Sequence, residues 1–310
     1  ASTTQSPPER MEIGPVYNHP IKERSSVPLG EFFAIHRELV FDIDSDDFKD
    51  IKDCCGDSEI CPKCWIYMNC ALNCLTEALT KNFGFKYILP VFSGRRGVHI
   101  WVCDKKAREL SQNVRQGIVS YLNLNEIAGT PGFKPMSCPF AQQMLPLCED
   151  YFIQIAEEYS IFTNTKLTEV VKKLIGEKFF NAINIKLSEY QNQSFRAQWN
   201  AIKQKPLVDG SRPFNETPNY YKLIFQFSFP RLDANVTITM NHLLKSPFSF
   251  HPKSGLISLP IPKEKFGQYP PDWVPNLLDL LNGDENAKEA YKEAVNQFND
   301  FRKSTLKEKG

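Results

Sequence analysis

Leu39-Val-Phe-Asp-Ile-Asp44 is the stretch on which the reading of this chain turns. The apolar run into the acids has the character of a buried strand. In a strand, residues i and i+2 point the same way, so Asp42 and Asp44 share one face while Phe41 and Ile43 turn to a core. Two carboxylates held that close repel each other unless a cation lies between them. Mg²⁺ and Mn²⁺ prefer carboxylate oxygens and leave positions open for phosphate. The competing reading is an exposed strand edge, but burying two unpaired charges on a packed strand would cost several kcal/mol. Asp46 and Asp47 read as solvated loop acids. Asp233, which follows an apolar run, is the candidate third ligand; an ordinary salt bridge at a strand end is its alternative.

About fifty residues further on stands Ser93-Gly-Arg-Arg-Gly-Val-His99. Its glycines allow a turn between two strands with N–H groups free for anions. Arg95, Arg96 and His99 bring the positive charge that phosphates need; a solvated hairpin tip is the alternative. Acids and bases together read as a metal-assisted phosphoryl or nucleotidyl transfer site. Residues 229–252 gather Arg231, Asn235, His242, Lys245, Ser246 and His251, a plausible anion-binding wall. A second signal is Cys54-Cys55 followed by Cys61-Pro-Lys-Cys64. Four thiolates in eleven residues can close a tetrahedral, structural Zn²⁺ site, the alternative being free buried thiols. Cys70 and Cys74, spaced i, i+4, read as core.

The 310 residues carry a formal net charge of +1, so any polyanion must be met by local clusters. A hydrophobic share of 42% fills a sizeable core. No apolar run is long enough for a bilayer and no secretory signal opens the sequence. Nine unevenly spread cysteines argue against a secreted disulfide framework. A soluble intracellular protein is therefore expected. Pattern predicts strands at 39–43, 87–92, 98–102, 221–229 and 256–261. It predicts helices over 62–83, 105–122, 287–306 and most of 148–203, with a loop or linker at 127–147. Residues 235–245 open with β-branched residues and close as a short helix. Residues 1–37 are rich in Pro, Ser and charge, with 11–17 as their structured piece. There is no internal repeat.

Taken in order, these motifs, with Phe229-Pro-Arg-Leu-Asp-Ala-Asn-Val236 and Asn241-His-Leu-Leu-Lys-Ser-Pro-Phe248, resemble the catalytic (small) subunit of eukaryotic DNA primase, within the archaeo-eukaryotic primase superfamily. The resemblance is close over residues 11–262 and weak in the helical middle and at the C-terminus. It implies an α/β, mixed-sheet prim fold with a structural zinc site and an inserted helical subdomain. The expected division is a catalytic core of 1–126 and 216–310, carrying the zinc motif 54–64, and a mainly helical insertion at 127–215. The implied activity is that of a DNA-directed RNA polymerase, making short RNA primers on single-stranded DNA from NTPs by two-metal nucleotidyl transfer.

Carried over residue by residue, the resemblance gives Asp42, Asp44 and Asp233 the two catalytic Mg²⁺ or Mn²⁺ ions. It gives Cys54, Cys55, Cys61 and Cys64 one Zn²⁺. Ser93, Arg95, Arg96, His99 and Lys245 hold the incoming triphosphate, with Arg231, Asn235, His242 and His251 close by. Glu12 stands where the family places an acid near the ribose 2′-hydroxyl, the group that separates ribo- from deoxyribonucleotides. An Arg-Glu-Phe motif that the family carries ahead of this stretch is not in the sequence. Implied partners are the large primase subunit with its iron–sulfur cluster, the DNA polymerase alpha complex, template and primer; the implied location is the nucleus, with no membrane. Nothing in this sequence marks an iron–sulfur site. Readings that stay open are a primase-polymerase of damage tolerance using dNTPs, a non-catalytic zinc nucleic-acid-binding module, and a metal phosphodiesterase.

Overall fold

The computed structural model describes residues 11–56, 60–208, 210 and 212–307. The first ten residues of the Pro- and Ser-rich N-terminal stretch lie outside the described residues. The strands are β1 (Glu12–Ile13), β2 (Val16–Tyr17), β3 (Ala34–His36), β4 (Leu39–Asp44), β5 (Ile88–Phe92), β6 (Gly97–Val102) and β7 (Leu244–Lys245). The helices are α1 (Trp65–Lys81), α2 (Lys105–Arg108), α3 (Gln112–Leu122), α4 (Leu124–Gly129), α5 (Pro139–Tyr159) and α6 (Thr165–Ile175). They continue with α7 (Glu177–Glu189), α8 (Phe195–Lys203), α9 (Pro218–Ser228), α10 (Ala234–Ile238), α11 (Leu277–Leu281) and α12 (Glu285–Leu306). Mixed α/β architecture with small sheets and many helices is thus observed. Among the described residues no helix is long and apolar enough to cross a membrane.

The chain packs as two compact units. The first comprises residues 1–44, 75–122 and 232–310. Its centre is an antiparallel sheet ordered β4-β6-β5. Val40 pairs with Trp101, Asp42 with His99 and Asp44 with Gly97, while Val91 of β5 also faces His99. Directly opposed residues share a face, so one face carries the acids and His99 toward one end, with Val91 in the row of Asp42 and His99, and Val40, Leu89 and Trp101 at the other end. Those four apolar residues bury themselves with Val236 and Leu244. On the reverse face Phe41, Ile43, Val98, Ile100 and Phe92 are wholly buried. Two-stranded pairings, β1 with β7 and β2 with β3, complete the strand content of the described residues.

The second unit comprises residues 45–74 and 123–231. Trp199 is its wholly buried hub, ringed by Phe152, Phe162, Phe195, Phe214 and Tyr220. Glu149 accepts from Trp199 Nε1 (2.9 Å), Lys203 Nζ (2.7 Å) and the Tyr220 hydroxyl, giving the carboxylate the partners a semi-buried charge needs. Burial, then Glu149, pushes the Tyr220 phenol well up.

Several local expectations are corrected. Residues 221–228 lie in helix α9 rather than a strand, with Phe229 as its C-cap. Thr217 caps its N-terminus and Pro218 takes the first turn, where a missing N–H costs nothing. The alternation of Leu223, Phe225 and Phe227 misled because Tyr220, Tyr221 and Ile224 are buried too, as in a helix enclosed all round. The loop expected at 127–147 ends early: α5 starts at Pro139 and runs through Pro146. At 235–245 the order is reversed, helix α10 first and strand β7 second. Residues 256–261 run along β5 without forming a strand. Ladder bonds from Phe92 N to Leu259 O and from Ile261 N to Pro90 O are interrupted because Pro90 and Pro260 have no N–H to give.

Candidate active site and cysteine cluster

The sheet face of the first unit opens into a cavity of about 250 Å³. Its walls are Asp42, Asp44, Ser93, Arg95, Arg96, His99, His242, Leu243, Leu244, Lys245 and His251. Asp42 and Asp44 keep 28% and 36% of their side-chain surface exposed, whereas Phe41 and Ile43 keep none, so the alternation read from sequence holds.

Residues 93–97 form a closed turn: Ser93 N donates to Gly97 O (3.0 Å) and Gly97 N to Ser93 Oγ (3.0 Å). Gly94 sits at φ +87°, open to glycine, and a Cβ there would meet His251 Cβ and Leu256 O at 3.2 Å. At Gly97 the demand is space alone, since a Cβ would stand 2.4 Å from Ile43 O. The glycines thus bring the basic turn against β4 and the 251–256 loop. Ser254 Oγ fastens that loop to Gly94 O.

Arg96 Nε donates to both oxygens of Asp44, at 2.8 and 2.9 Å. Lys245 Nζ donates to Ser93 O (2.9 Å) from a largely buried position. His99 Nε2 lies 3.6 Å from Asp42 Oδ1. Burial first, and Lys245 second, push the His99 pKa down to about 3. The imidazole is therefore neutral at neutral pH, and its approach to Asp42 is not an ion pair. His242 Nδ1 donates to Leu243 O (2.7 Å), and Lys253 N donates to His251 Nδ1 (3.2 Å).

Asp233 reaches the edge of β4 through its backbone: its N–H donates to Asp42 O at 3.1 Å. Its carboxylate accepts from Asn235 N and Val236 N, capping α10. Asp233 and Asn235 are both exposed. Glu12 is paired with Lys245 across β1 and β7, one strand from the cavity wall. Arg231 belongs to the second unit, where it pairs with Asp50 and lies over the Phe48 ring. Hard oxygen donors beside arginine and lysine suit a divalent cation carrying phosphates.

The four cysteines lie in the second unit. Neighbouring sulfurs are 3.8 Å (Cys54–Cys55), 3.6 Å (Cys55–Cys64) and 3.7 Å (Cys61–Cys64) apart. A tetrahedron with Zn–S of about 2.3 Å has edges of about 3.8 Å, so the cluster has the size of a Zn²⁺ cage. Among the described residues it is the one group of three or more ligating side chains with donor atoms all within 4.8 Å; the three aspartates are not gathered so tightly. Cys61 N also donates to Cys64 Sγ (3.1 Å), orienting the buried ligand. A hydrogen bond from Cys64 holds the Cys54 thiol down at about 4, while Cys64 itself is pushed far up.

The family model for the DNA primase small subunit matches residues 41–262, which include Asp42 and Asp44 of β4 and the cysteine cluster. The chain belongs to the DNA primase small-subunit family. A fission yeast (Schizosaccharomyces pombe) DNA primase small subunit is 33% identical over 288 residues, covering 88% of this chain and 63% of that protein. The budding yeast (Saccharomyces cerevisiae) protein is 30% identical over 323 residues, covering 99% and 78%. The Caenorhabditis elegans protein is 36% identical over 290 residues, covering 84% and 68%. The chain thus spans under two thirds of the fission yeast relative's length. Sequence reading of this family member missed Leu243 and Leu244 in the cavity wall and Ser254 behind the turn; only their position after His242 and His251 hinted at them.

Proposed function

We propose that this chain is the catalytic part of a DNA primase, synthesising short RNA primers on single-stranded DNA from NTPs. The observation that carries the reading is the shared cavity, with two acids on β4 facing Arg95, Arg96 and Lys245 in a chain of this family. Asp42, Asp44 and Asp233 would hold two Mg²⁺ or Mn²⁺ ions, which lower the pKa of the primer 3′-hydroxyl and neutralise the leaving pyrophosphate. Arg95, Arg96 and Lys245 bind the triphosphate and carry the charge that develops on it. Arg96 would exchange its bond to Asp44 for a phosphate. His99, neutral and buried, offers a ring N–H to a phosphate oxygen, while Ser93 and His251 bound the pocket. Glu12, Asn235, His242 and Arg231 are assigned the surrounding nucleotide contacts, Glu12 toward the ribose.

Cys54, Cys55, Cys61 and Cys64 would hold one structural Zn²⁺. The fold is assigned to the prim type, with 1–126 and 216–310 as catalytic core and 127–215 as helical insertion, a functional division that differs from the compact units, in which 45–74 and 216–231 group with the helical middle. The proposed partners are the large primase subunit, the DNA polymerase alpha complex, template and primer, in the nucleus. The test is synthesis on single-stranded DNA with NTPs or dNTPs, products sized on a gel. Ribonucleotide primers, abolished in Asp42→Ala at unchanged zinc content, are expected. Normal synthesis by Asp42→Ala refutes the assignment; a preference for dNTPs would make the chain a primase-polymerase, and cleavage without extension a phosphodiesterase.

A further inference from the structure

We infer that Arg37 is a positioning residue for Asp233, anchored in that role by Arg115. The inference rests on the two-metal reading above. Arg37 is 3% exposed and Arg115 is fully buried. Such cations usually have an acid partner. Among the described residues, the hydrogen-bond acceptors of these two guanidiniums are main-chain carbonyls. Arg37 Nη1 donates to Val236 O (2.8 Å) and Thr239 O (2.6 Å). Arg115 donates to Arg37 O (2.6 Å), Glu38 O (3.0 Å), Leu110 O (3.1 Å) and Ala107 O (3.3 Å). Burial lowers both pKa values to about 10, leaving both side chains charged at neutral pH.

The acceptors explain the placement. Val236 and Thr239 carry carbonyls at the end of α10, where a helix has no internal donors left. Asp233 caps the other end of the same short helix. α10 is therefore tethered twice: at its front by Asp233 N–H to Asp42 O, and at its back by Arg37. With Val236 already packed in the core, these main-chain tethers fix the two ends of α10, and with them the angle at which the Asp233 carboxylate stands to β4. Arg115 grips the carbonyls of Arg37 and Glu38, immediately ahead of β4. The two guanidiniums thus reference the third acid to the strand that bears the first two. Both bonds leave one nitrogen, Nη1, at the tip of a planar guanidinium; a lysine ammonium could donate twice but ends about one bond short and rotates freely, so it would not hold the two carbonyls in place.

The experiment is titration of the intact protein with Mn²⁺ alone, free Mn²⁺ being read by electron paramagnetic resonance. Wild type, Arg37→Lys, Asp233→Asn and the double variant are compared, with melting temperature and zinc content alongside. Arg37→Lys is expected to weaken Mn²⁺ binding by about tenfold to a hundredfold, the usual effect of losing a group that orients a ligand, at unchanged zinc content. In the Asp233→Asn background the same change should add less than about twofold. Wild-type Mn²⁺ affinity in Arg37→Lys, or two losses that multiply independently, overturns the positioning role, even if the melting temperature falls. If Asp233→Asn alone leaves Mn²⁺ binding intact, the two-metal reading fails and this inference with it. Should Arg37→Lys not fold, Arg115→Lys, which loosens the backbone of Arg37 and keeps its bonds to α10, is judged by the same outcomes.

Discussion

Gly97→Ala adds one methyl group at the point where β6 crosses β4. That carbon would stand 2.4 Å from Ile43 O and 3.2 Å from Asp44 Cα, both backbone atoms of the paired strand. Cβ contacts under 3.0 Å are essentially never seen, so the strands must part by about 0.6 Å at this step. No rotamer can relieve the clash, and φ is not at issue. Overpacking of this kind costs about 1–3 kcal/mol. The displaced residue on β4 is Asp44, the partner of Gly97 in the ladder. A misplacement near 1 Å in a reacting constellation can cost about a hundredfold in rate; the shift here points to about tenfold. Urea denaturation and primer synthesis at saturating NTP measure the two effects. Gly117→Ala is the control: it lies in α3 with nothing within 4 Å, and should stabilise by about 0.5–1 kcal/mol at unchanged activity. A Gly97→Ala variant with wild-type midpoint and turnover would refute the close-approach argument.

The purified protein should carry one zinc per chain by atomic absorption, and Cys64→Ser should lose it; a full equivalent retained at unchanged affinity would count against the cage. His99 is held at about 3 against 6.5 unfolded, so the folded state binds fewer protons. Its contribution is complete above pH 6.5 and is lost as pH falls toward 3, at up to about 1.4 kcal/mol per pH unit. His99→Gln should flatten the stability–pH curve in that window; equal slopes for the two proteins would dispose of the idea. Glu149→Gln weakens a three-donor hub and should cost about 1–3 kcal/mol of stability, read as a lower urea midpoint, and an unshifted midpoint would disprove it.

How far the site could be read in advance depended on whether its signal was local. The alternation in β4 and the cysteine spacing are short-range patterns, and both emerged as read. The turn at 93–97 was legible because glycine, arginine and flanking strands all pointed to the same geometry. Helix α9 was misread because its aromatic residues satisfy a period of two when half of the buried positions are overlooked. Asp233 was named as an acid after an apolar run, but its link to Asp42 is a main-chain bond across 191 positions. No side-chain pattern encodes such a bond. Arg37 and Arg115 were invisible for the same reason: their partners are carbonyls, which every residue possesses.

The packing of α3 against α10 has a consequence for how the family can vary. The chain leaves the first unit at Leu122, where α3 ends, and comes back at Leu232, just ahead of α10. The points of departure and return are thus clasped together like the two posts of a gate. Closing a flexible excursion between fixed posts costs only about 0.6 kcal/mol for each doubling of its length. The loops within residues 123–231 are free to grow or shrink while the acids keep their spacing, so length variation among relatives should concentrate in them and spare the hinge-posts.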